Sequence, residues 1–69
     1  MVDMELLNLY NDYHKKDGEA RGKAFLELGM YMYRRHGYKA LLELVRNEFV
    51  DNDGAVRIAT ACIMRQALK

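Results

Sequence analysis

Cys62, His14 and His36 are the residues of this 69-residue sequence with the chemistry of a nucleophile and its base. A catalytic cysteine needs a nearby base and a donor-rich turn for the developing oxyanion. No such turn accompanies Cys62. Its neighbours are Ala59, Ala61 and Ile63, among which a thiol reads as a small buried hydrophobe, and His14 falls beside Tyr10 on a helix face. Asp51-Asn52-Asp53-Gly54 sets oxygen ligands on alternate positions before a glycine, as a calcium loop does. With Gly54 at that loop's sixth position, Phe49 would stand first and Thr60 twelfth, and neither is a carboxylate. The run therefore reads as a helix-capping turn. Zinc spacings, phosphate-cradling loops and paired catalytic carboxylates are missing from the sequence, so the expectation is no enzyme, no cofactor, no metal and no small-molecule substrate.

The densest basic run is Arg34-Arg35-His36-Gly37-Tyr38-Lys39. Arg34, Arg35 and Lys39 are candidate contacts for phosphate or an acidic protein surface, because guanidinium groups bind such groups bidentately and a tyrosine can stack on a base. The same cations also suit the negative end of a helix. Lys15, Lys16, Arg21 and Lys23 form a second cluster, roughly 20 Å away at about 1.5 Å per helical residue. A DNA-reading pair made from the last two helices fails on charge. Ala55-Val56-Arg57-Ile58 would offer one cation where several are needed, and Asp51 and Asp53 would face the phosphates. With 11 Lys and Arg against 10 Asp and Glu the net charge is +1, too small to draw the chain onto nucleic acid as a whole. Nucleic acid is therefore the alternative partner.

Any of these residues would be positioned by helices. Proline is absent, glycines number five, and four stretches carry helical periodicity between short polar breaks. Asp3 can cap a first helix running to about Lys16, with Leu6, Leu7, Tyr10, Tyr13 and His14 on its inner face. Asp17-Gly18 breaks the chain before a long second helix from Glu19 to His36, which Gly37 can close in the left-handed conformation. A third helix, from about Tyr38 to Phe49, is predicted to bury Tyr38, Leu41, Leu42, Val45 and Phe49, with Ala40 and Leu44 on a lesser face. Asp53 or Gly54 leads into a fourth, from about Ala55 to Leu68, with Ala55, Ala59, Cys62, Ile63 and Gln66 on one side and Ala61 and Met64 on another. No segment alternates long enough for a strand. The prediction is a single domain over 1–69, an all-α compact bundle of about four helices.

The second helix has apolar residues on opposite walls. At about 100° per residue, Ala24, Phe25, Leu28, Tyr31 and Met32 form one stripe, while Leu26, Met30 and Tyr33 form another beside Gly22 and Gly29. Each mid-helix glycine costs about 0.8 to 1 kcal/mol against alanine, so two on one seam predict a close crossing, either with an internal neighbour or with a second copy. A chain of 8.1 kDa buries little surface and has one cysteine, hence no internal disulfide. Association is the remaining way to stabilise it. Gly22, Leu26, Gly29, Met30 and Tyr33 are thus the expected partner or dimer interface of a homodimeric, non-enzymatic protein-binding module such as a small inhibitor, adaptor or regulatory subunit. No apolar run approaches a membrane span, and the start of the chain lacks a signal-peptide pattern, which predicts a cytoplasmic protein.

Overall fold

Asp3 caps the first helix as predicted, its carboxylate accepting from the Leu6 backbone N–H at 3.2 Å in the computed structural model, which describes residues 3–69. Four helices follow: α1 (Met4–Lys15), α2 (Gly18–His36), α3 (Tyr38–Glu48) and α4 (Asp53–Ala67). No strand occurs among the described residues. The α2 to α3 junction is a single residue. Gly37 gives its N–H to the Tyr33 carbonyl at 3.0 Å and closes the helix as expected of a glycine, but at φ +89° and ψ −178° it is in a positive-φ extended conformation rather than the left-handed helical one. The α3 to α4 turn uses a different cap from the predicted Asp53 or Gly54. Asp51 reverses the chain at φ +60°, and the Asn52 side chain accepts from the Ala55 N–H at 3.1 Å, so α4 begins earlier than its apolar pattern suggests.

The two stripes of α2 organise the interior, each facing its own cluster. Ala24 and Leu28 join Tyr13 and Leu44, with Leu6, Leu9, Phe25 and Met32 packed around them. Leu26, Met30 and Tyr33 lie against Leu41, Val45, Val56 and Ile63 on the other side. Leu28, Leu41 and Val45 are completely buried, and burial of such a side chain stabilises by about 1.5 to 3 kcal/mol. Every other helix contacts α2, and α4 also packs on α3. α1 touches α2 alone among the helix backbones.

Three assignments of inner faces change. On α1 the packed row is Leu6, Leu9 and Tyr13, and Leu7, Tyr10 and His14 turn outward. On α3, Leu44 is buried while Tyr38 is half exposed and Phe49 lies at the surface, because α3 must serve both clusters and Leu44 is its contribution to the first. On α4 the buried row is Val56, Thr60 and Ile63, which leaves Cys62 exposed rather than buried.

Candidate functional site

The predicted glycine seam resolves into two unlike positions. A Cβ on Gly29 would stand 2.6 Å from Cδ1 of Ile63 and 3.0 Å from its Cγ2, whereas one on Gly22 would meet nothing within 4 Å. Gly29 therefore marks a close crossing of α2 with α4, inside the chain. Leu26, Met30 and Tyr33 are half-buried on the second cluster, so α3 and α4 already cover much of that wall. Two shallow grooves remain open along it, one of about 210 Å³ beside Gly22, Leu26 and Cys62 and one of about 280 Å³ beside Met30.

The basic run is largely engaged in holding helix ends. Arg34 donates to the Ala67 carbonyl at 3.1 Å, satisfying an end group of α4. The Arg35 guanidinium lies 5.4 Å from the centroid of the Tyr31 ring. His36 brings Nε2 to 3.4 Å from Asp3, leaving Lys39 as the exposed member with no such contact. Asp3 also accepts from the Tyr31 hydroxyl at 2.9 Å. The Leu6 N–H, above all, and the Tyr31 hydroxyl hold the Asp3 carboxyl below the usual range, against a smaller opposing effect of burial. The second basic cluster behaves similarly. Lys16 pairs with Asp12 at 2.9 Å, and Arg21 sits 4.6 Å above the Tyr13 ring. Burial raises the pKa of Tyr13, and its hydroxyl donates to Glu48 at 2.8 Å, tying α1 to α3 through side chains.

A groove of about 290 Å³ lies between α1 and α3, with Leu28 and Met32 of α2 as its floor. Leu6, Leu7 and Tyr10 form one wall and Leu44 the other. Met4, Leu7 and Tyr10 are 61%, 42% and 41% exposed, a one-turn spacing that extends the apolar wall outward. Leu7 and Tyr10 are thus turned away from the inner face on which the sequence pattern sets them. The signal for a second face was present, since Met4, Leu7 and Tyr10 lie on a different side of the helical wheel from Leu6, Leu9 and Tyr13.

No protein-family model, curated protein or solved structure matches the chain. Its own residues must carry any functional reading. Cys62 makes no hydrogen bond to a histidine among the described residues, because His36 turns to Asp3 and His14 packs 4.4 Å from the Tyr10 ring. Among the described residues, no helix is long and apolar enough to cross a membrane.

Proposed function

We propose that this chain is a non-enzymatic protein-binding module that accepts an amphipathic helix in the groove between α1 and α3. The observation that carries this reading is that the backbones of α1 and α3 stay apart and are linked through side chains such as Tyr13 and Glu48, so Leu28 and Met32 floor a groove with apolar walls. An amphipathic helix presents residues at one-turn and two-turn spacing to such a groove. It would cover Leu7 and Tyr10, which the chain leaves exposed. A second copy of the chain is one candidate for that helix and another protein is the other. The partner face is proposed here rather than on Leu26, Met30 and Tyr33 because those three already pack against residues of α3 and α4.

The nucleic-acid reading is supported less well, since Arg34 and Arg35 already have internal contacts. The test is a photo-crosslinking side chain placed at Leu7, with the same group at Asn8 as control, in cells that express the protein naturally. A discrete adduct at position 7 alone is the expected result. Its mass separates the occupants, a homodimer adding the 8.1 kDa of one more chain. Equal labelling at both positions, or none, would refute the groove as a docking site.

A further inference from the structure

A second groove, of about 520 Å³, runs between α3 and α4 and takes no residue from α1 or α2. Its volume lies in the range of small-molecule sites. Its walls are rows of side chains four residues apart: Tyr38, Leu42 and Arg46 on α3, and Val56, Thr60 and Met64 on α4. Arg57 and Asp53 also line it, at the end nearest the interhelical turn where Arg46 stands. Neither arginine is in an ion pair, the described pairs being Lys16 with Asp12 and His36 with Asp3. Two guanidinium groups against one carboxylate leave one positive charge unmatched.

Thr60 supplies an independent sign of a missing polar partner. It is 5% exposed, and its hydroxyl has no hydrogen-bond partner. Buried hydroxyls are seldom left in that condition, because the lost hydration goes uncompensated. Thr60 lies one turn beyond Arg57 and itself lines the groove, so a ligand seated there meets the wall that carries the unpartnered hydroxyl. From Arg46 to Tyr38 the groove follows eight residues of α3, about 12 Å at 1.5 Å per residue, and Leu42 and Met64 make its far part apolar.

We propose that this groove binds a small amphiphilic monocarboxylate, with the carboxylate between Arg46 and Arg57 and the tail along Leu42 and Met64. A monoanion matches the unmatched charge, Thr60 donates to a carboxylate oxygen, and the apolar end accepts a short aliphatic or aryl body. The site is separate from the groove between α1 and α3 and does not depend on a protein partner there.

Octanoate is the probe and octan-1-ol, with the same tail and no charge, is the control, each titrated into the whole chain and followed by amide NMR. Saturable shifts at residues 42, 57, 60 and 64 are expected, with octanoate about tenfold or more tighter than the alcohol, as charge-assisted hydrogen bonds require. Affinity should rise roughly fourfold for each methylene from butanoate to octanoate. Arg57→Gln, at an exposed position, should remove most of the preference for the acid while leaving the melting curve in place. Thr60→Val should weaken octanoate binding while raising the stability of the free chain. Equal affinity for alcohol and acid, absence of saturation, or shifts at these residues that follow protein concentration without octanoate would each overturn the assignment, the last by giving the groove to a second copy.

Discussion

Replacing Gly29 by alanine sets two opposed effects against each other, and the structure decides between them. The helix gains about 0.8 to 1 kcal/mol from the better residue. Against this, the new methyl would approach Ile63 at 2.6 Å from Cδ1, 3.0 Å from Cγ2 and 3.2 Å from Cγ1. Rotation of the terminal methyl relieves only the first contact, and Ile63 is 2% exposed, so it has little room to withdraw. Overpacking of this kind costs about 1 to 3 kcal/mol. The net expectation is a loss of up to about 2 kcal/mol, or up to roughly 8 to 16 °C in Tm at about 4 to 8 °C per kcal/mol for a domain of this size.

A double-mutant cycle isolates the contact. Ile63→Val removes Cδ1, so adding Gly29→Ala in that background should cost at least about 1 kcal/mol less than in the native chain. Gly22→Ala is the internal control. With nothing within 4 Å of its Cβ, it should stabilise the chain by about 0.4 to 1 kcal/mol. Urea unfolding followed by circular dichroism, with unchanged m-values, measures all four variants. A native-background Gly29→Ala that melts higher than the parent, or a penalty unchanged by Ile63→Val, would show that α2 and α4 do not meet at this point.

Further outcomes follow from the buried and hydrogen-bonded groups. Leu28→Ala should cost about 2 to 5 kcal/mol, a large part of the stability of so short a chain, and an unfolded circular-dichroism spectrum or a steep fall in urea midpoint will report it. Tyr13→Phe should lose about 0.5 to 1.5 kcal/mol with the Glu48 hydrogen bond, and Glu48→Gln in the Tyr13→Phe background should add little, which a second cycle checks. The lowered pKa of Asp3 means that its stabilisation is complete above the ordinary carboxylate range and is lost as pH falls through the folded value, below about pH 4. Asp3→Asn should therefore be less stable than the parent at neutral pH and converge with it in acid. On the alkaline side the raised pKa of Tyr31 has the opposite sign. Its contribution is complete below the ordinary tyrosine value and is lost as pH rises through the folded one, above about pH 10; Tyr31→Phe should lack that loss in a pH series of urea melts.

Periodicity made the four helices and the two stripes of α2 legible, because both are angular properties of a single segment. It does not say which segment covers which wall. Gly29 and Gly22 look alike in sequence, and only the arrival of Ile63 distinguishes them. Leu44 looks secondary beside Leu41 and Val45 until α3 is seen to face two clusters. Arg34 reads as a free cation because its acceptor, the Ala67 carbonyl, lies 33 residues away. For the α1 groove the angular information is sufficient, since Met4, Leu7 and Tyr10 lie on a different side of the wheel from Leu6, Leu9 and Tyr13. The α3 and α4 rows ending in Arg46 and Met64 also have four-residue spacing, but an unpartnered buried hydroxyl at Thr60 leaves no trace in sequence.

The α1 backbone approaches only that of α2, and its link to α3 runs through the side chain of Tyr13 with Leu44 and Glu48, which makes α1 a separable unit of opening. Its release would break the contacts of Leu6, Leu9 and Tyr13 with α2 and the Tyr13 to Glu48 bond, while the packing among α2, α3 and α4 could persist. Amide hydrogens of α1 should therefore exchange with solvent through a smaller opening free energy than those in the centre of α2. The opened form bares Leu28 and Tyr13 together. A partner helix seated against Leu7 and Tyr10 would hold α1 in place, so its binding would raise the free energy of this opening and slow exchange of the α1 amides.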